Sequence, residues 1–224
     1  GTTLLAAEDT FMAPQMPPNT KVLWFNNEEA GSAVQLRILQ AALGLNSEEI
    51  SHDEVGSIDA YNRLMGEDNM IILYDKADLT VKDVKEACKK YDAGLIIFDQ
   101  LWKVQGVEDA TNDVHKMTKL FNFGREIAKQ YAPVLAVHQA DGSAGGQEYL
   151  NMEQLYMSKT GAQGEADAIV MIGRSYEAGK GDSRFISVPK NKLTGGPRTI
   201  PAMRNMQVEV ILKPEIARFE EGEE

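Results

Sequence analysis

The sequence predicts an α/β fold in which a mainly parallel, twisted sheet is flanked by helices and followed by antiparallel hairpins. Three observations carry this. Five short apolar runs are nearly continuous, as expected of strands covered on both faces. The runs alternate with segments whose apolar residues recur at three-and-four spacing. After Gly173 the helical period disappears, and turn signals separate strand-like pieces.

Taken in order, the chain opens in "GTTLLAAED", an apolar helical run headed by Thr2 and Thr3. The strands are "KVLWFNN" (21–27), "MIILYD" (70–75), "GLIIFD" (94–99), "PVLAVHQ" (133–139) and "AIVMIG" (168–173). The helices between them are "AGSAVQLRILQAALGL", "TVKDVKEACKKY" and "DVHKMTKLFNFGREIAKQYA". Thr80 is placed to cap the second of these, with Asp83 in its first turn, where negative charge suits the helix dipole. The stretch 140–159 begins with small and polar residues after a strand end, which predicts a mobile functional loop. Beyond Gly173, turns at GKGD and TGGP predict antiparallel hairpins at the edge of the sheet. "EAGKGDS" contains Gly-Lys-Gly, but it lacks the glycine five positions earlier and a Ser or Thr after Lys180. It reads as a hairpin turn and not as a phosphate loop.

With 224 residues, 43% hydrophobic and 25% charged, the chain is long enough for one well-buried core. The single cysteine, Cys88, excludes an internal disulfide and points to a reducing, cytoplasmic compartment. No apolar run approaches the roughly 18 residues that span a bilayer, so no membrane role is expected. A net charge of -11 argues against wrapping in nucleic acid, yet leaves room for DNA held by a few loops.

In open α/β sheets, ligands bind beyond the carboxyl ends of the strands. Three of those ends carry suitable groups. Asp99 follows four apolar residues and can hold magnesium beside nucleotide phosphates. Glu28 and Glu29 follow "KVLWFNN", where one carboxylate can orient or deprotonate a water. His138 and Gln139 can donate to a terminal phosphate. Each has a structural alternative: Asp99 as a turn cap, the glutamates as the first turn of a helix, His138 as a core-edge histidine. Cys88, Met152 and Met157 read as packing residues.

Together, "FNNEEAGSAVQLRILQAALGL", "ILYDKADLTVKDVKEACKKYDAGLIIFDQLWKV", "LFNFGREIAKQYAPVLAVHQAD", "KTGAQGEADAIVMIGR" and "PEIARFEE" resemble, in order and spacing, the RecA-type ATPase domain of the DnaB-like replicative helicases. That family includes phage primase-helicases. The resemblance runs from Thr2 to about Glu221 and implies a single RecA-like domain over residues 1–224. It implies a ring-shaped homo-oligomer, usually a hexamer, that hydrolyses ATP with Mg2+ at subunit interfaces and translocates on single-stranded DNA. Primase and loader proteins are the further partners that it implies.

Residue by residue, Glu28 falls at the family's catalytic glutamate and Asp99 at its Walker B aspartate. Gln139 falls at the γ-phosphate sensor, with His138 beside it as a second candidate. The loop through Lys159 corresponds to the one that contacts DNA. Lys190 and Lys192 fall where the family has a Lys-x-Arg pair reaching a neighbouring subunit's ATP. Lys192 thus supplies a point charge in place of a planar fork. Thr2 and Thr3 fall at the end of the phosphate loop, Thr2 as the magnesium-binding hydroxyl. The first core strand and the rest of that loop would precede Thr2, so upstream sequence is expected. Two alternatives stay open: a RecA-fold partner or regulator without ATPase activity, and a RecA- or KaiC-type ATPase of recombination or signalling.

Overall fold

The computed structural model describes residues 2–66, 70–107, 112–156, 161–195 and 201–222. Gly1, Met157, Lys159 and the Gly196 and Pro197 positions of the expected TGGP turn lie outside the described residues.

The elements run α1 (Thr2–Met12), β1 (Lys21–Asn26), α2 (Gly31–Leu43), α3 (Ser47–His52), α4 (Glu54–Met65), β2 (Ile71–Asp75), α5 (Val81–Lys90), β3 (Ala93–Asp99), α6 (Asp113–Gln130), β4 (Val134–Ala136), α7 (Gly161–Glu165), β5 (Ala168–Gly173), β6 (Ser183–Asn191), β7 (Gln207–Lys213) and β8 (Arg218–Glu221). They fall into two compact units. The first takes residues 1–109, 123–138 and 213–218, and the second takes 110–122, 139–212 and 219–224.

In the first unit, β1 to β4 form a parallel sheet in the order β2-β1-β3-β4. Residues in register across parallel strands share a face, so the period of two sorts the apolar runs into two layers. Val22, Trp24, Leu95 and Ile97 bury one face in a core with Leu5 and Ala6 of α1 and Val34 and Ile38 of α2. On the alternate positions Phe25 stacks between Tyr74 and Phe98, at centroid distances of 5.1 and 5.3 Å. Phe123 of α6 meets Phe98 edge-on at 6.5 Å. Both faces are covered, which is why these runs carry no polar alternation.

The helix ends follow local chemistry. Thr80 and Asp83 form a capping box at the start of α5, each side chain taking the other's backbone N–H, as the sequence predicts. Helix α2 ends at Gly44 in the left-handed conformation, φ 68°. Two of its last carbonyls are taken up by Arg218, which donates to Ala41 (2.7 Å) and Ala42 (3.2 Å), while the Gln40 side chain donates to the Glu215 carbonyl (2.7 Å). Cys88 is buried on α5 and burial pushes its thiol up to about 11, so it is an inert packing residue. No helix among the described residues is long and apolar enough to cross a membrane.

In the second unit, β5 to β8 form a sheet in the order β5-β6-β7-β8, with β5–β6 and β6–β7 antiparallel. The expected hairpins are present, and GKGD is the turn between β5 and β6. One expectation is corrected: β5 belongs to this antiparallel sheet, not to the parallel one. Its run alternates between buried Ile169 and Met171 and exposed Ala168 and Val170, the pattern of a strand covered on one face.

A second correction concerns the stretch after β4. Its described part, 140–156, is a folded excursion. The Asp141 N–H donates to the Gln154 carbonyl (2.8 Å), and the Ser187 hydroxyl donates to the Leu150 carbonyl (2.6 Å). Leu150 and Leu155 are buried against Ile169 and Met171, and Met152 packs beside them. Apolar residues at those two positions anchor what the small residues at its start would leave loose. Helices α3 and α4, for which the sequence reading has no counterpart, lie mostly at the surface.

Candidate functional site

The register of the parallel sheet sets three polar residues side by side at its carboxyl end. Asn26, the last residue of β1, pairs with Asp75 of β2 on one side and Asp99 of β3 on the other. Asn26 is fully buried and Asp99 is 1% exposed. The Asn26 amide donates to Asp75 Oδ1 (2.8 Å) and to the Glu29 carbonyl (2.6 Å). Asp75 Oδ2 accepts from the N–H of Gly31, the first residue of α2 (2.9 Å). A Cβ at Gly31 would stand 2.6 Å from that same oxygen, so only glycine admits this contact.

Asn26 Oδ1 is buried and has no hydrogen-bond partner among the described residues. A buried carbonyl oxygen left without a donor costs about 1–3 kcal/mol. Beside the buried carboxyl of Asp99 it makes an oxygen-only environment, the kind that suits a hard cation. Among the described residues, no group of three or more His, Cys, Asp or Glu side chains is poised to hold a metal. That fits Mg2+, which takes one or two carboxylates and fills its remaining positions with water and phosphate oxygens.

The two adjacent glutamates have different environments. Glu29 is paired with Arg37 of α2, a contact that ties the β1–α2 loop to the helix it precedes. Glu28 turns toward the end of β3. Its carboxylate accepts from the Gln100 side-chain amide and lies 3.3 Å from the Lys103 ammonium. Gln100 is itself fixed: Asn27 accepts from its backbone N–H (2.7 Å) and donates to its carbonyl (3.0 Å), and the Trp102 indole N–H donates to its side-chain oxygen. The peptide bond between Asp99 and Gln100 is cis.

One residue beyond Asp75, the Lys76 ammonium lies 2.9 Å from Asp83. The Thr80 hydroxyl and Lys76 together draw the Asp83 carboxyl down to about 2, and Asp83 in turn raises Lys76.

The predicted site residues divide between the two units. Glu28 and Asp99 stand at the ends of adjacent strands, and His138, half-buried, lies two residues past β4, the next strand in the sheet. Thr2 and Thr3 open α1, with Thr3 half-buried. Gln139 belongs to the second unit; it is exposed, and its carbonyl accepts from the Tyr156 N–H (3.2 Å). Lys190 and Lys192 are in that unit as well. Lys190 is half-buried on β6 and its ammonium donates to the Gln163 carbonyl. Lys192, one residue past β6, is half-buried to exposed at the strand's end, and its backbone N–H donates to the Asp167 carbonyl (2.8 Å). The sequence reading passes over Asn26, Asn27, Asp75, Gln100 and Lys103. The sign available for them is that polar residues cluster within a few positions of three apolar runs.

No family model matches the sequence, and no curated protein matches it. Solved structures do. The chain is similar to the ATPase domain of a phage protein, with a TM-score of 0.76 and 15% identity over 99% of this chain and 80% of that one. It is also similar to a DnaB-like replicative helicase, solved with its interactions with primase. There the TM-score is 0.69 and the identity 14%, over 97% of this chain and 55% of that one. The chain thus spans about half the length of that helicase. Its fold is the RecA-like α/β fold of those ATPase domains.

Proposed function

We propose that this chain is the motor domain of an ATP-dependent replicative DNA helicase, which hydrolyses ATP at the subunit interfaces of a homo-oligomeric ring, a hexamer in this reading, and so moves along single-stranded DNA. The observation that carries the reading is the side-by-side placement of Asp99 and Glu28, at the ends of adjacent strands of a fold shared with helicase ATPase domains.

In this reading Asp99, with the Asn26 carbonyl oxygen beside it, holds the Mg2+ of Mg–ATP, and Thr2 and Thr3 bind at the phosphate end. The ion neutralises phosphate charge when bound. Glu28 accepts a hydrogen bond from the attacking water and aligns it with the γ-phosphorus. His138 or Gln139 donates to the terminal phosphate. Lys192, just past β6, reaches the nucleotide of the neighbouring subunit, and Lys190 holds the end of β6 through Gln163. The 140–156 excursion faces the DNA. Primase and loader proteins are the partners expected of such a ring, and the cytoplasm is its setting.

The test is ATP hydrolysis by the full-length protein with and without single-stranded DNA. Hydrolysis stimulated by the DNA is expected, and Glu28→Gln should lower kcat by about 100-fold or more. A protein whose hydrolysis ignores DNA is instead an ATPase of the RecA or KaiC kind. One that hydrolyses nothing, or is indifferent to Glu28→Gln, is a RecA-fold partner without this activity.

A further inference from the structure

The contacts around Glu28 form a chain that begins at the residue following Asp99. Gln100 is 4% exposed and Asn27 is 8% exposed. The Asn27 side chain bonds both backbone groups of Gln100, so the ends of β1 and β3 are stapled to each other independently of the ladder. From that fixed backbone the Gln100 side chain is placed between an indole N–H and a carboxylate.

Its orientation is forced by chemistry. The Trp102 indole can only donate, so it must face the amide oxygen, and an ionised Glu28 can only accept, so it must face the amide nitrogen. The amide therefore cannot turn over without losing both bonds. Lys103, 3.3 Å from the other Glu28 oxygen and 5.9 Å from the Trp102 ring centroid, closes the group with a positive charge. The Glu28 side chain remains 32% exposed, so it has room to receive a water.

We propose that Gln100 and Lys103 are positioning residues for the water-orienting carboxylate, and that Trp102 and Asn27 set Gln100 for that task. The inference rests on the hydrolytic role given to Glu28. Because Gln100 is joined directly to Asp99, the same segment that holds the cation sets the aim of Glu28. Loss of either contact lets the carboxylate sample rotamers that do not face the γ-phosphate, which slows the chemical step and leaves nucleotide binding as it was.

The experiment compares steady-state ATP hydrolysis, affinity for a fluorescent ADP analogue and thermal unfolding of the full-length protein for wild type, Glu28→Gln, Gln100→Met, Lys103→Met, Lys103→Arg and Trp102→Phe. Gln100→Met and Lys103→Met should each lower kcat about tenfold, while KM and ADP affinity stay within about twofold. Lys103→Arg, which keeps the charge, should recover most of the rate, and Trp102→Phe should show a smaller fall of the same kind. Gln100 is buried and its variant can lose stability, but Lys103 is partly exposed and tests the idea without that risk.

If Glu28→Gln abolishes hydrolysis while the Gln100 and Lys103 variants stay within twofold of wild type, this inference alone is overturned. The same holds if their kcat falls only in step with ADP affinity. If wild type does not hydrolyse ATP, or Glu28→Gln has no effect, the proposed function and this inference fall together.

Discussion

Removing the carboxylate charge at the start of α5 gives a stability change whose size and pH dependence can be worked out beforehand. Asp83 accepts from the Thr80 backbone N–H (2.8 Å), the Thr80 hydroxyl (2.6 Å) and the Lys76 ammonium (2.9 Å). These contacts, the Thr80 hydroxyl foremost, hold its carboxyl at about 2 against an ordinary 3.8. A gap of about 1.8 pH units at about 1.36 kcal/mol each is about 2.4 kcal/mol. The Asp83 and Lys76 side chains are 30% and 42% exposed, so water screens the effect to about 1 kcal/mol.

The folded-state value lies below the unfolded one, so the unfolded chain takes up the proton first as the pH falls. The stabilisation is complete above about pH 5 and disappears between about pH 4 and pH 2, with roughly half gone by pH 3. Urea-unfolding free energies of wild type and Asp83→Asn at pH 7, 4 and 3 measure this. Wild type should lead by about 1 kcal/mol at pH 7 and by about half of that at pH 3. A gap of equal size at pH 7 and pH 3, or none at pH 7, would refute the reasoning.

Two further outcomes follow from packing. Trp24 is fully buried, and its indole N–H has no partner among the described residues, so Trp24→Phe removes an unpaired donor while opening a small void. The two effects oppose each other, and chemical denaturation should find a net change within about 1 kcal/mol, against about 3–5 for Trp24→Ala. In the second unit a Cβ at Gly173 would overlap the Glu148 carbonyl oxygen and stand 2.5 Å from that of Gln147. Gly173→Ala must displace backbone, at a cost of about 1–3 kcal/mol or more, which a thermal melt reads as a drop of several degrees.

The parts of the fold that are legible in the sequence are those in which one physical signal acts alone. Doubly covered strands read as unbroken apolar runs, and β1, β2 and β3 lie within one residue of where those runs place them. Thr80 is legible as a cap because its partner sits three positions on. For β5 the strand is legible but its sheet is not, since a continuous apolar run conceals which of its residues face outward. Helices α3 and α4 leave little trace because a surface helix needs few apolar residues and theirs keep no clear period.

At the candidate site, Glu28 and Asp99 are visible as carboxylates at strand ends. What separates Glu28 from Glu29 is not, because it lies in Arg37, eight residues beyond Glu29, and in Gln100 and Lys103, more than seventy residues away. Pairing partners at that distance leave no mark in a single sequence. Asp75 is hidden for the same reason, its role being set by Asn26 and Gly31 across forty-nine and forty-four positions.

The contacts of Arg218 and Glu215 with α2 join residues 177 and 175 positions apart. A chain emerging from the ribosome, at about 5–20 residues per second, therefore has every strand of the parallel sheet available well before the group that closes the carboxyl end of α2. Until those last residues arrive, the carbonyls of Ala41 and Ala42 have only water to accept from in place of Arg218. Completion of the first unit is in this sense a signal that nearly all of the second has already been synthesised.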